Sequence, residues 1–182
     1  MISPIKTERL LLIPAEIRHL EAEVQKTGEL ASMLRATVPD NWPPEILRDA
    51  LTFFLEQLRK NPSSVGWNGW YWIQQATGSE PATLIGDGGF VAPPDTDGEV
   101  EIGYSVLPQF QGFGYASEAA PALVRWAFNH PEVTRIIGET DHDNAPSIRV
   151  LQKLGFTYAG PGSEQGRDKW QITRAQFVSN PQ

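Results

Sequence analysis

The stretch from Glu99 to Ala119, EVEIGYSVLPQFQGFGYASEA, joins a strand-like segment to a helix-like segment through a turn of small residues. Residues 99–107 alternate between apolar and polar positions, which is typical of a β-strand. After the turn, apolar residues recur at helical spacing at Ala116, Ala120, Leu123, Val124 and Ala127. Such a turn gathers unpaired backbone N–H groups and the positive end of a helix dipole. The pattern therefore predicts either a phosphate site or an ordinary turn whose glycines relieve strain.

Two well-known phosphate-binding turns fit this stretch poorly. A P-loop needs the string G-x-x-x-x-G-K-[ST], which does not occur in the chain. A dinucleotide-binding turn would use Gly112 and Gly114 after a strand, and Glu139 or Asp141 at the end of a second strand could hold a ribose. However, Ser117 occupies the third glycine position, and LPQFQ separates the strand from the turn. Both departures disfavour a dinucleotide fold.

A third kind of turn matches the stretch at each motif position. Residues 111–116, QGFGYA, fit the signature [QR]-x-x-G-x-[GA], and NAPSIRVLQKLGF at residues 144–156 fits a second motif, N-x-x-S…K-L-G-F. In both motifs the chain resembles the GNAT acetyltransferase superfamily. TERLLLIP at residues 7–14 resembles the first strand of the branch that contains ribosomal-protein N-terminal acetyltransferases. The resemblance covers about residues 7–173.

The order of strand-like and helix-like segments predicts one mixed α/β domain of the α+β class over residues 1–182. Strands are expected at residues 7–14, 69–76, 82–92, 99–107, 134–140, 156–160 and 168–173. Helices are expected before Met33, after the two prolines at 43–44, after the glycine turn and at residues 146–155. The resemblance implies a mixed, mostly antiparallel central sheet, splayed between its fourth and fifth strands, with helices on both faces.

The resemblance also implies acetyl-CoA as co-substrate, bound in the gap of the splayed sheet. The pantetheine arm would pair like a short strand with backbone near Val106, and Asn144 would contact the pantetheine or shape the thiol end. The diphosphate would bind the amides of Gln111, Gly112, Phe113, Gly114, Tyr115 and Ala116.

The reaction implied by the resemblance is direct attack of an amine on the acetyl thioester. A primary amine like that of lysine has a pKa of about 10.4, so a base must accept a proton. Glu101 matches the strand position at which several family members keep a catalytic glutamate. The alternative interpretation is a strand carboxylate that faces solvent or pairs with arginine. Glu99, Glu139 and Asp87 rank below it as candidate bases.

The departing thiolate would benefit from an acid. Many family members supply a tyrosine at the position that Leu151 occupies here. Ser147, one helical turn beyond Asn144, is the substitute that the resemblance suggests. The alternative for Ser147 is a first-turn serine that hydrogen-bonds helix N–H groups.

Three further features carry structural expectations. Pro121 lies two turns into the helix after the glycines, so we expect a kink there or an interruption near Ser117. Glu118 is expected to complement the N-terminus of that helix. The tryptophans Trp67, Trp70 and Trp72 are more typical of a core strand than of an acceptor pocket.

The composition of the chain limits the classes of binding partner that are expected. Fifteen Lys and Arg against 22 Asp and Glu give a net charge of −7, and the basic residues are scattered, which disfavours a nucleic-acid partner. The chain has no cysteine, and its three histidines lack metal-ligand spacing, so no metal is expected. The apolar runs are too short for a membrane span or a secretory signal, and we expect no membrane partner and a cytoplasmic location.

The sequence does not identify the acceptor substrate or the oligomeric state. Protein N-termini and small amines both suit the expected N-acetyltransferase, because residues 14–69 carry no readable acceptor motif. A homodimer is equally compatible with the sequence. An alternative of another class is a non-catalytic acyl-CoA-binding module, for which Leu151 in place of tyrosine is the best support.

Overall fold

The computed structural model describes residues 2–179 of the chain, so the domain predicted over residues 1–182 extends past both ends of the described range. Its strands form one eight-stranded sheet in the order β1-β2-β3-β4-β5-β6-β8-β7. The strands are β1 Ile5–Lys6, β2 Leu10–Pro14, β3 Trp70–Gln74, β4 Thr83–Phe90, β5 Glu99–Val106, β6 Arg135–Asp141, β7 Thr157–Pro161 and β8 Arg167–Thr173. The helices are α1 Ile17–Val24, α2 Leu30–Leu34, α3 Glu45–Lys60, α4 Tyr115–Phe128, α5 Ala145–Lys153 and α6 Arg174–Ser179.

All neighbouring strands are antiparallel except β5 and β6, which are parallel. This confirms the predicted mixed, mostly antiparallel sheet of an α+β fold. The expected fourth and fifth strands correspond to β5 and β6, because the short strand β1 adds one to the numbering.

Each face of the sheet carries its own helices and its own core. Alternate side chains of β2 and β3 point to opposite faces, and both faces are covered, so β2 is apolar throughout and β3 is apolar up to Gln74. Leu10, Leu12 and Trp72 pack with α4 and α5 in one core, whereas Tyr71 and Ile73 pack with α1, α2 and α3 in the other. The core interpretation of the three tryptophans is confirmed, since Trp67, Trp70 and Trp72 are all buried.

Two helix predictions differ from the structure. The helical stretch expected up to Met33 is divided into α1 and α2, because Lys26 and Gly28 adopt positive φ between them. The interruption expected near Ser117 is wrong, because α4 runs unbroken from Tyr115 to Phe128 with Pro121 inside it. Burial of its apolar side chains, among them Leu123 and Val124, offsets the hydrogen bond that proline cannot donate. The kink at Pro121 stays a prediction.

None of the helices between residues 2 and 179 combines the length and the apolar character needed to cross a membrane.

Candidate active site

The site begins where β5 and β6 separate. Their parallel register runs from Glu99 with Arg135 to Glu101 with Ile137 and ends there. Glu101 and Leu107 form backbone hydrogen bonds with the β4 side of the sheet. Because backbone groups alternate along a strand, those of Ile102, Tyr104 and Val106 point the other way, into the gap. The splay therefore leaves the edge of β5 beyond Glu101 without a neighbouring strand.

A cavity of about 280 Å³ occupies this gap. Its walls come from β5, β6, the first two turns of α5 and the loop before β8. The lining combines carboxylates, hydroxyls and apolar groups, at Ile102, Gly103, Tyr104, Gly138, Glu139, Thr140, Asp141, Asn144, Ser147, Leu151, Glu164 and Arg167. The cavity thus brings together Asn144 and Ser147, which the sequence predicted, with Tyr104, which it did not.

The glycine turn lies at the end of β5. A short 3₁₀ helix, Pro108–Phe110, leads into it, and α4 begins at Tyr115 with Gly114 as its N-cap. Gly112 and Gly114 have φ of 82° and 81°, a region that side chains with a Cβ rarely adopt. Among the described residues, none accepts a hydrogen bond from the amides of residues 112–116. Those amides are free to bind an anion.

Gln111 differs from the rest of the predicted diphosphate set. Its amide donates to the carbonyl of Pro108 at 3.2 Å, so it is already engaged. Its side-chain Nε2 donates to the carbonyl of Val106 at 2.8 Å. Gln111 therefore braces the end of β5 against the turn.

Arg9 ties the turn to the start of β2. Its Nη1 donates to the carbonyl of Phe113 at 2.9 Å, and its Nε donates to Glu118 Oε2 at 2.7 Å. Glu118 also accepts hydrogen bonds from the amide of Arg9 and the hydroxyl of Thr7. Burial opposes ionisation of Glu118, yet these hydrogen bonds outweigh it and lower the pKa of the carboxyl. Glu118 therefore does more than complement the helix dipole: it anchors the turn.

Replacing Arg9 with alanine should weaken CoA binding about fivefold to tenfold, because the Phe113 carbonyl and the Glu118 carboxylate would lose charge-assisted partners. Isothermal titration calorimetry with CoA measures this change in affinity. Arg18→Ala is a matched control, since Arg18 pairs with Glu16 at 2.9 Å outside the cleft. An equal loss of CoA affinity in both variants would show that the contacts of Arg9 with Phe113 and Glu118 do not shape the turn.

Of the candidate bases on β5 and β6, Glu101 has the carboxylate that is least engaged. Among the described residues it has no hydrogen bond or ion pair to its carboxylate, and it lies half-buried at the closed end of the gap. Burial and the nearby Glu139 carboxylate raise the pKa of Glu101, against the opposing effect of Arg167 and Lys169. Glu101 does not itself line the cavity, so it would act on a bound amine through water.

Two of the alternative bases are engaged with other groups. Glu99 pairs with Arg135 Nε at 2.6 Å. Glu139 lines the cavity but accepts from the Ser163 amide at 2.9 Å and from its hydroxyl at 2.7 Å. Burial opposes ionisation of Glu139, but these hydrogen bonds prevail and lower its pKa. A carboxylate stabilised in this way is a weak proton acceptor.

Asp87 faces the opposite side of the sheet from α4 and α5, where α1 and α3 cover it. It faces Glu23 and Tyr71 beside a small cavity of about 20 Å³. Glu23 accepts hydrogen bonds from the Tyr71 hydroxyl and from Trp42 Nε1, whereas Asp87 Oδ1 is buried without a partner among the described residues. Burial, and then the charge of Glu23, raise the pKa of Asp87 to about 8. The structure thus places Asp87 outside the cavity between β5 and β6.

Asn144 and Ser147 both belong to the start of α5. Asn144 is the N-cap, and its Oδ1 accepts a hydrogen bond from the Ser147 amide at 3.2 Å. The Ser147 hydroxyl instead lies 3.2 Å from the Tyr104 hydroxyl. Capping is therefore done by Asn144, and the Ser147 hydroxyl remains turned to the cleft.

The three histidines belong to separate parts of the fold. Within residues 2–179, no group of three His, Asp or Glu side chains is arranged to hold a metal ion. His19 accepts from the Glu16 amide at the start of α1, and His142 pairs with Asp168.

Comparison with known proteins agrees with this geometry. The sequence model of one protein family, the acetyltransferase (GNAT) domain, matches residues 9–157 of this chain. YjdG of Bacillus subtilis (strain 168), described as an uncharacterised N-acetyltransferase, is 31% identical over 152 residues, which cover 84% of this chain and 88% of YjdG.

Solved structures show the same fold. The acetyltransferase of Agrobacterium tumefaciens strain C58 superposes with a TM-score of 0.64 at 21% identity, over 96% of each chain. RimL, a ribosomal L7/L12 α-N-protein acetyltransferase solved in complex with coenzyme A, has a TM-score of 0.64 at 20% identity, over 94% of this chain and 98% of RimL.

Proposed function

The chain belongs to the GNAT acetyltransferase family, whose members are acyltransferases that use acetyl-CoA, and we propose that it acetylates the primary amine of a protein N-terminus or a small molecule. The observation that carries the proposal is that the glycine turn, with its free amides, follows the open edge of β5. The free amides of residues 112–116 suit a diphosphate, and the open edge of β5 suits a strand-like pantetheine arm. RimL, which shares the fold, was solved with coenzyme A.

The acceptor would enter from the side of the cavity that carries carboxylates. Glu139, Asp141 and Glu164 line this side together with Arg167, and the net negative charge of the four groups attracts a protonated amine. The bound ammonium loses one proton to water, and as the neutral nitrogen attacks the thioester carbonyl carbon, Glu101 accepts a second proton from it through water. The Val106 amide, which points into the gap, supports the developing negative charge on the carbonyl oxygen. The carbon–sulfur bond breaks, and its electron pair stays on sulfur.

The direct test is thiol release from acetyl-CoA across a panel of amines, which includes peptides with free N-termini, amino acids, polyamines and aminoglycosides. Turnover on at least one class supports the proposal and identifies the acceptor. Binding of CoA without turnover on any amine would instead support a non-catalytic acyl-CoA-binding module. Thermal stabilisation by NAD but not by CoA would contradict the cofactor assignment. The expected cytoplasmic location and the homodimer stay predictions.

Gly114→Val should weaken CoA binding about 30-fold. A β-branched residue at φ of 81° is strained, so the turn and the amides proposed to receive the diphosphate would shift. Isothermal titration with CoA gives the affinity. Gly28→Val is the matched control, because Gly28 also has positive φ, at 75°, and a Cβ there meets nothing within 4 Å. Gly28→Val should lose stability but keep its CoA affinity, and unchanged affinity in Gly114→Val would remove the turn from the binding site.

A further inference from the structure

Two hydroxyl groups face each other across the cleft. Tyr104 reaches from β5 and Ser147 from the first turn of α5, with 3.2 Å between Tyr104 Oη and Ser147 Oγ. Both residues line the cavity between β5 and β6. At the position where many family members carry a tyrosine, this chain has Leu151, which lines the same cavity without a polar group. Tyr104 therefore brings a phenol to this cavity from the opposite wall.

Packing fixes the ring of Tyr104. It stacks on Trp72 with 6.2 Å between ring centroids and 26° between ring planes. Gly88 on the adjacent strand makes room for both rings, since a Cβ there would lie 2.5 Å from Trp72 Cζ2 and 2.7 Å from Tyr104 Cβ. Burial raises the pKa of Tyr104, so its hydroxyl keeps its proton at neutral pH. Its hydroxyl lies 3.2 Å from Ser147 Oγ and donates to the Ser147 carbonyl at 3.4 Å, so Tyr104 is a positioned hydrogen-bonding group.

The Ser147 hydroxyl is free to accept a hydrogen bond from the Tyr104 hydroxyl. The Asn144 side chain already satisfies the Ser147 amide, so the hydroxyl is not needed as a cap. A serine hydroxyl can accept one hydrogen bond while it donates another. In a low-dielectric cleft, such consecutive hydrogen bonds polarise and strengthen each other.

We propose that Tyr104 donates a hydrogen bond to Ser147 Oγ and that the Ser147 hydroxyl in turn donates to the sulfur of the departing CoA. This inference rests on the proposed acetyl transfer. As the new carbon–nitrogen bond forms and the carbon–sulfur bond breaks, the electron pair remains on sulfur, and the amine proton goes to the base. The hydroxyl chain stabilises the thiolate, which takes a proton from solvent afterwards. Ser147 touches the reacting sulfur, and Tyr104 is a positioning residue.

The first test measures the thiol pKa of CoA bound to the protein, by following the ultraviolet absorbance of the thiolate against pH. The reference value is the thiol pKa of CoA titrated free in solution. The wild-type protein should lower the thiol pKa of bound CoA. Both Tyr104→Phe and Ser147→Ala should raise this pKa again by about one unit, since each substitution breaks the hydrogen bonds that stabilise the thiolate. Tyr158→Phe is the matched control, because Tyr158 is exposed on β7, outside the cavity lining.

The second test is a double-mutant cycle on acetyl transfer. Tyr104→Phe should lower kcat about tenfold with little change in the KM for acetyl-CoA, because the phenylalanine keeps the stacking on Trp72. In the Ser147→Ala background the same substitution should have almost no further effect. Independent, additive losses would overturn the hydroxyl chain.

The outcomes separate this inference from the proposed function. If CoA binds and acetyl transfer proceeds, but the bound thiol titrates identically in the wild type and in Tyr104→Phe, the hydroxyl chain is wrong and the acetyltransferase stands. If CoA binds with a lowered thiol pKa that both variants reverse, but no amine is acetylated, the hydroxyl chain stands and the proposed acceptor class is wrong. If the wild type does not bind CoA, both fail.

Discussion

Glu101→Gln is expected to lower kcat at neutral pH about 100-fold while leaving the affinity for CoA unchanged. A positioned general base typically contributes a factor of about 10² or more, and glutamine cannot accept the amine proton. Glu101 lies outside the glycine turn and does not line the cavity, so the substitution leaves the cofactor contacts in place. Steady-state kinetics with an acceptor from the amine panel, together with CoA titration, measure the two quantities separately.

Glu99→Gln is the matched control for this substitution. It removes a carboxylate two residues away on the same strand, but that carboxylate already pairs with Arg135 at 2.6 Å. The control should retain nearly full kcat. A large loss in Glu99→Gln with normal turnover in Glu101→Gln would move the base to Glu99.

The pH profile gives an independent check on Glu101. A general base works only when it is ionised, so kcat/KM should fall as pH drops through its pKa. Burial and the Glu139 carboxylate raise that pKa, which places the acid limb above the range of an ordinary glutamate. The limb should vanish in Glu101→Gln. An identical limb in wild type and variant would assign it to another group.

Asp87→Asn is expected to stabilise the protein at neutral pH by about 4 kcal/mol more than at pH 4. The pKa of Asp87 rises from 3.8 to about 8 on folding, and each unit corresponds to about 1.4 kcal/mol. Because the folded pKa lies above the unfolded one, Asp87 destabilises the fold progressively as pH rises from about 4 to about 8. Asparagine stays neutral across this range and removes that cost.

Urea unfolding of both proteins at several pH values between 4 and 8 measures this difference. Asp49→Asn, which removes an exposed carboxylate from α3, is the control and should leave the pH dependence of the wild type unchanged. A constant difference between Asp87→Asn and wild type across the range would mean that Asp87 stays ionised beside Glu23 in the folded protein.

Local sequence patterns were enough to predict most of the elements that build the cleft. The alternation over residues 99–107, the two glycines and the helical spacing after them predicted β5, the turn and α4. Pro146 and Gly155 likewise marked the limits of α5, and Gly155 adopts the expected positive φ of 83°. Each of these signals acts over a few residues, which is why a single sequence reveals them.

The contacts that complete the site are long-range, and no local pattern predicts them. Arg9 and Glu118 are 109 positions apart, and Tyr104 and Ser147 are 43 apart. TERLLLIP was informative as a first strand, but nothing in it indicates that Thr7 and Arg9 bind the start of α4. The sequence offered Asp87 only as a lower-ranked candidate base, and it does not show that α1 and α3 bury this residue beside Glu23.

The sequence by itself determined the family, the fold class and the position of the glycine turn, because these depend on residue types at short, fixed spacings. Tertiary structure alone decided which carboxylates are engaged with partners and which hydroxyls meet in the cleft. The physical reason is that hydrogen bonding and burial at a side chain depend on which distant segments pack against it. The splay of β5 from β6 after Glu101 creates the cleft, and it brings Tyr104 to Ser147.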